Sequence, residues 1–301
     1  MKFTITQKPE NGILGGPKNK TILICSNTGS YTITIDQYGG SRQISIISPQ
    51  EGITKAFLSI YYDLETLLML LDGQFYPVTH VFEDGVDITL SWKRRTLPSY
   101  HSADFMLGAQ NVLVDFNEVL EPQLLFDWSN LRNELDLIHK VVLYCLSSVE
   151  MPKDMQCTFM TEIFEGLSEL VHEKKPEFIL PKIKKGDSKL QNYLLEIIPA
   201  FGTLIFEREM QCNLEAFTQI LVNSRNRIAH VKSKQKRTYL RDGQNLIYLM
   251  KMSLFYRTIL FQLLEIPEGL YKQKLTLRVQ AINDHKVTQE FLKQLSECID
   301  K

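Results

Sequence analysis

No stretch of this 301-residue chain approaches the roughly 18–20 consecutive apolar residues that a membrane-spanning helix needs. Its start, MKFTITQKPENG, has no apolar segment of signal-peptide length. The expectation is a cytoplasmic protein with no membrane partner. Cysteine is scarce and scattered. Cys25, Cys145, Cys157, Cys212 and Cys298 form no C-x-x-C pair and no metal-ligand spacing, which suits a reducing compartment where Cys is a small core residue. The histidines do not cluster with cysteines or carboxylates either, so neither a structural nor a catalytic metal is expected, and no cofactor. Charge of one sign is not in excess: the net charge is −1, so affinity for a polyanion must come from local clustering. The glycine-rich ENGILGGPKNK (10–20) lacks the G-K-[ST] ending of a phosphate-binding loop and reads as a turn. No G-x-S-x-G elbow is present.

What remains is the composition of a soluble globular protein, 44% hydrophobic and 23% charged, long enough for two modest domains. Residues 1–125 read as a β-rich domain. FTIT (3–6), TILIC (21–25), YTITIDQY (31–38), RQISII (42–47), DITLSW (87–92) and NVLVDF (111–116) are rich in β-branched and aromatic residues between Gly, Pro, Asn and Asp punctuation. One helix interrupts them. SPQE (48–51) is a capping-box pattern, the apolar series Ile53, Phe57, Ile60, Leu64, Leu67, Leu71 has helical spacing, and Asp72-Gly73 ends it.

From residue 126 the period becomes 3.6. Residues 127–146, 154–174, about 187–211, 213–231 and 240–265 read as helices, with PEFILPKIKKGD (176–187) as a linker and Pro199 as a kink or split. Short connections imply an antiparallel bundle over 126–301, closed by a tail with a last amphipathic helix near 287–299. The fold class is therefore α+β: a β-rich N-terminal domain, then an all-α bundle. No internal repeat is found.

One stretch stands out: LVNSRNRIAHVKSKQKR (221–237). Leu214, Phe217, Leu221, Ile228 and Val231 make an apolar stripe, so 213–231 is an amphipathic helix packed on the bundle. Asn226 and His230, four apart, share a face. Arg225, about 140° from His230 around an ideal helix, has a side chain long enough to reach round it. From Ala216 to Arg241 there is no acidic residue, while Arg225, Arg227, Lys232, Lys234, Lys236, Arg237 and Arg241 supply positive charge and Tyr239 a ring for base stacking. A solvated basic loop after a helix C-terminus, where the dipole favours cations, is the plain alternative.

Spacing by itself decides nothing. An Arg separated from a His by four to six residues also occurs at Arg95/His101 (and Arg94/His101), Arg132/His139 and Arg278/His285. Context separates them. Glu134 and Asp136 lie inside the Arg132 match, Pro98 inside that of Arg95, and Asp284 abuts His285. Only Arg225–His230 combines a late bundle helix, a following Asn and an acid-free basic flank.

The RN-x-x-x-H of SRNRIAH, in a helical C-terminal domain, resembles the signature of the HEPN ribonuclease superfamily. The closer likeness is to ApeA-type HEPN proteins of bacterial antiphage abortive infection, in which a β-rich domain precedes the bundle. TFMTEIFEGLSELVHE (158–173) is similar to that family's helix with a Glu-centred segment, here Phe164-Glu165-Gly166-Leu167. LLFDWSNLRNELDLI resembles its opening bundle helix, and LETLLMLLDGQFYPV (64–78) its N-terminal leucine-rich helix and turn. The resemblance covers most of the chain, but only the Arg-Asn/His motif is specific. It implies a metal-independent endoribonuclease working as a homodimer with a composite cleft. It also implies an RNA substrate, with tRNA as one option, and a phage-derived trigger detected by the N-terminal half. Arg225, Asn226 and His230 would be catalytic, and Glu165 would either support them as a partner of Arg225 or be plain helix surface. His230, an imidazole suited to proton transfer, would activate the ribose 2′-OH or protonate the 5′-oxygen. Arg225 would present its planar fork to the pentacoordinate phosphate, and Asn226 would orient His230 or bind a phosphate oxygen. The products would be a 2′,3′-cyclic phosphate and a 5′-OH. Two other readings stand beside this one: a catalytically inactive HEPN module that binds RNA or regulates a partner, and a purely structural helical protein.

Overall fold

The computed structural model describes residues 1–8, 16–26, 29–49, 54–73, 76–95, 112–146, 151–184, 188–230 and 237–297. The fold is α+β. An antiparallel six-stranded sheet comes first and a mostly helical region follows. The chain divides into two compact units, Met1–Asn133 and Glu134–Lys301.

In the first unit the strands are β1 (Lys2–Gln7), β2 (Lys18–Ser26), β3 (Gly29–Tyr38), β4 (Ser41–Ile47), β5 (Val78–Glu83) and β6 (Val86–Asp87), in the order β2-β3-β4-β1-β5-β6. Period-2 alternation puts Phe3 and Ile5, Ile44 and Ile46, and Tyr31, Ile33 and Ile35 on one buried face, while Thr4, Ser45 and Thr34 line up on the other. Helix α1 (Thr54–Asp72) supplies the matching apolar stripe to the unit's core, and Phe57 stacks on Phe3 with ring centroids 3.7 Å apart. The buried face ends in a polar row, Gln7–Arg42–Gln37, adjacent across β1, β4 and β3. Arg42 is held by Asp72 at 2.7 Å and lies 4.7 Å from the Tyr76 ring, so its charge is buried with a partner. Gln7 donates to the Tyr61 hydroxyl (3.1 Å), which donates to Glu65 (2.9 Å). Burial pushes the Glu65 carboxyl up to about 7.

Several expectations change here. DITLSW is not a strand. After the two-residue β6, Thr89–Arg95 forms helix α2, begun by Asp87 Oδ1 accepting the Thr89 N–H (2.8 Å). It is anchored by Trp92, whose ring meets Tyr61 at 5.5 Å. Residues 112–116 of NVLVDF are not a strand either. The N–H groups of Leu113 and Val114 both point at the Leu71 carbonyl, and Asp115 caps the short helix α3 (Phe116–Val119). Strand β5 was not anticipated. The capping-box residues Gln50 and Glu51, and Ile53, lie outside the described residues.

The 127–146 helix is two: α4 (Pro122–Leu135) and α5 (Leu137–Leu146), separated by Asp136 at φ 33°. Most of α4 belongs to the first unit, because Trp128 donates to Thr66 (3.1 Å), Arg132 to Asp63 (2.7 Å) and Ser129 to Asp63 (2.9 Å), all on α1. The division thus falls at 133/134, later than the 125/126 read from periodicity.

In the second unit α6 (Lys153–Lys174) packs against α5, α7 (Lys189–Phe201), α8 (Thr203–Ala229) and α9 (Gly243–Leu263). Helices α10 (Glu268–Asn283) and α11 (Lys286–Glu297) contact α8 and α9. α7 continues through Pro199 and ends at Gly202, where an added Cβ would lie 3.0 Å from both Phe206 and Phe255. α8 is interrupted. Asn213 leaves helical geometry (φ −170°, ψ 94°) and its Oδ1 accepts the Ala216 N–H at 2.9 Å, so a fresh helix starts at Leu214. The half before this break is tied to α9 through a core ion pair. Lys251 meets Glu209 at 2.5 Å with both side chains fully buried, and the Tyr248 hydroxyl donates to the same oxygen at 2.9 Å.

Candidate functional site

The motif lies in the last turns of α8. Phe217 anchors this stretch, fully buried with its ring 5.6 Å from Phe206 and 5.1 Å from Tyr248. Burial then fades along the helix: Ile220, Leu221 and Val222 are buried, Arg225 to Ile228 half-buried, Ala229 and His230 exposed. An apolar beginning thus holds a polar end at the surface.

Arg225 is fully oriented. Its Nε donates to Glu162 Oε2 (2.5 Å) and its Nη2 to Glu162 Oε1 (2.6 Å), a two-pronged grip from α6. Its Nη1 donates to Asn226 Oδ1 at 2.9 Å. That last bond joins Arg225 to the neighbouring Asn226 side chain; among the described residues no contact joins it to His230. The hydrogen bond with Glu162, ahead of the opposing effect of desolvation, raises the guanidinium pKa further, so Arg225 is a permanent cation.

His230 is the C-cap. Its backbone N–H bonds the Asn226 carbonyl at 3.2 Å, so the helical i,i+4 relation of the two residues holds to the end. Among the described residues its exposed ring makes no hydrogen bond or ion pair. Arg225 and Asn226 are therefore brought together side chain to side chain, and His230 stands one turn beyond them.

The chain past the motif folds back on α8. Leu240 N–H donates to Ser224 Oγ (2.8 Å), Ser224 in turn donates to Ile220 O (2.8 Å), and Asn223 Nδ2 bonds Thr238 O (3.0 Å). This places the half-buried Tyr239 ring under two cations, Arg227 at 4.6 Å and Arg241 at 5.1 Å. Tyr239 was expected as a base-stacking ring; here it carries guanidinium groups that a base would have to share or displace. Arg227 also stands 3.9 Å from Asp154. Arg237 and Arg241 are exposed. Lys232, Lys234 and Lys236, with Val231, lie outside the described residues.

Glu165 is not the partner of Arg225. It pairs with Lys189 at 2.8 Å, which also holds Glu169 at 2.9 Å, and reaches Arg225 only as a nearby negative charge. The partner is Glu162, one turn earlier on α6. The sequence offers two acids three residues apart on that helix and no signal to choose between them. Asp154 was likewise missed. Asp154 and Glu162 meet Arg227 and Arg225 in reverse order, so α6 runs antiparallel to this part of α8.

In one competing spacing the two residues engage different partners. Arg132 binds Asp63 in the first unit, whereas His139 is buried in the second with Nδ1 3.0 Å from the Tyr256 hydroxyl. His285 Nδ1 accepts the Val287 N–H at the start of α11. His101 lies outside the described residues. His172 is in the last turn of α6 and its Nδ1 bonds Phe178 O. Among the described residues no group of His, Cys, Asp and Glu could hold a metal ion, and no helix is long and apolar enough to cross a membrane. A groove of about 490 Å³ along α10, lined by Lys272, Thr276 and Leu277 among others, contains no motif residue.

No protein-family model matches the chain, and no curated protein or solved structure matches it.

Proposed function

We propose that this protein is an HEPN-type, metal-independent endoribonuclease of ApeA-like antiphage defence, cytoplasmic and acting as a homodimer. The observation that supports it best is the juxtaposition at the end of α8. A cationic guanidinium and an amide, bonded to each other, stand one helical turn from an exposed imidazole beside an acid-free basic flank. Strand cleavage of RNA needs little more. His230 takes the proton from the ribose 2′-OH as its oxygen attacks phosphorus, or delivers a proton to the departing 5′-oxygen. The P–O5′ bond breaks, leaving a 2′,3′-cyclic phosphate and a 5′-OH. Arg225 stabilises the charge gathering on the pentacoordinate phosphorus, and a positioned donor of this kind is typically worth about 10²–10³ in rate. Asn226 fixes Arg225 through its Oδ1 and leaves its amide N–H groups for a phosphate oxygen. Arg227, Arg237, Arg241 and the lysines of 232–236 hold the RNA backbone.

One imidazole cannot act as base and acid at the same instant, so two copies contributing one His230 each give the complete pair; this is the chemical case for the dimer. The β-rich unit is the sensing or restraining part, with a phage-derived molecule as the trigger that raises a basal activity measurable without it. The test is end analysis of RNA incubated with purified protein in EDTA. Fragments carrying 2′,3′-cyclic phosphate and 5′-OH ends support the reading. Fragments with 5′-phosphate ends, or cleavage that appears only with added metal, reject it.

A further inference from the structure

We propose that Glu162 is a positioning residue. It aims Arg225 so that the guanidinium acts on the reacting phosphate in the transition state rather than on RNA binding. This rests on the ribonuclease reading above. The argument begins with donors. A guanidinium has five N–H groups. Glu162 takes one on Nε and one on Nη2, and Asn226 takes one on Nη1. One N–H is left on each terminal nitrogen, and among the described residues nothing accepts them. These two N–H groups, on neighbouring nitrogens of one plane, are the donors that remain for phosphate oxygens. Glu162 therefore does not consume the phosphate-facing edge of Arg225; it fixes the plane in which that edge lies.

The site is open to a ligand. The Arg225 side chain is 29% exposed and that of Glu162 43%. Glu162 sits on α6, whose Phe164 and Leu167 are fully buried, so the carboxylate is mounted on a packed helix rather than a loop. Glu165, one turn on, is engaged by Lys189 and leaves the role to Glu162.

Charge gives the distinguishing consequence. The Arg225–Glu162 pair is neutral overall, so it adds little to the long-range attraction of RNA, which falls to the basic flank. When a second negative charge builds on the pentacoordinate phosphorus, the two aimed N–H groups meet it at close range. The pair should therefore act on kcat and not on KM, since only interactions stronger in the transition state accelerate the chemical step.

The experiment is steady-state cleavage of a fluorescent single-stranded RNA in EDTA by the full chain. It compares wild type, Glu162→Gln, Glu162→Asp and, as a control on the same helix, Glu169→Gln. Glu162→Gln keeps the shape but removes one of the two acceptors and the charge. Its kcat should fall about ten-fold or more, as misaimed groups do, with KM unchanged or lower because a repelling charge is gone. Glu162→Asp, which keeps the carboxylate, should recover part of the loss, and Glu169→Gln should change neither constant. A merely structural ion pair would alter melting temperature and leave kcat alone. Wild-type kcat in Glu162→Gln, or a loss confined to KM, overturns the proposal while leaving the ribonuclease reading intact. Absence of cleavage by wild type overturns both.

Discussion

Removing the charge of Lys251 should be among the most damaging single changes to the helical unit. Lys251 and Glu209 have no exposed side-chain surface, lie 2.5 Å apart, and share their contact with the Tyr248 hydroxyl. Burial pulls the Lys251 pKa down even though Glu209 pushes it up, so the pair stands where desolvation is severe. Lys251→Met fills the space but leaves a buried carboxylate with only Tyr248 for company. Breaking a buried pair from one side costs about 3–5 kcal/mol. For a unit of this size that is about 6–20 °C in Tm. The assay is thermal and urea unfolding followed by the helical signal. The double variant Glu209→Leu, Lys251→Met should recover most of the stability, since replacing both charges by apolar groups is often neutral or better. A Lys251→Met loss below about 1 kcal/mol, or a double variant as unstable as the single one, would refute the reasoning.

Three further expectations follow from the same contacts. Ser224→Ala strips the acceptor from the buried Leu240 N–H, at a cost of about 1–3 kcal/mol; hydrogen exchange should show the Leu240 amide losing protection before its neighbours in α9. Glu65, raised from 4.5 to about 7, binds its proton more tightly folded than unfolded. Its contribution therefore favours folding at low pH, is lost as pH rises from about 4.5 to 7, and then levels off, by at most about 3 kcal/mol. Glu65→Gln should flatten that part of the stability profile of the first unit, and an unchanged profile would remove Glu65 from the account. On the proposed function, Arg227→Ala should weaken RNA retention for all sequences alike and reduce the slope of log affinity against log salt by about one; an unchanged slope in filter binding would take Arg227 out of the RNA path.

Much of the fold was readable because its periods are strong. Tyr31, Ile33, Ile35 and Gln37 alternate cleanly, and β1 to β4 fell where the pattern put them. The motif helix was read from residue 213, and there the Asn213 side chain caps the N–H of Ala216. Pattern failed where a few side chains override local preference. Asp87 and Trp92 turn a strand-like DITLSW into helix, and Leu113 and Val114 are held by one carbonyl instead of a strand partner. Asp136 at φ 33° splits a continuous helical period. Helix α10 lies in the stretch expected to be a tail; its Tyr271, Leu275, Val279 and Ile282 repeat at helical spacing and are all buried. At the candidate site the sequence supplied Arg225, Asn226 and His230 but not what grips them. Glu162 is 63 residues from Arg225 in the chain, and no local pattern encodes a contact at that range. The clasp of Tyr239 by Arg227 and Arg241 was hidden for the same reason. It depends on Thr238 and Leu240 being fastened to Asn223 and Ser224.

The most direct measurement is cleavage of RNA in EDTA by wild type and by His230→Ala, both shown to be folded by their melting curves. His230 is exposed, and among the described residues its ring makes no hydrogen bond or ion pair, so the substitution should leave stability within about 0.5 kcal/mol. The account predicts fragments with 2′,3′-cyclic phosphate and 5′-OH ends from wild type, and a rate at least about a hundred-fold lower from the variant. Equal cleavage by the two proteins, or none by wild type, would contradict it.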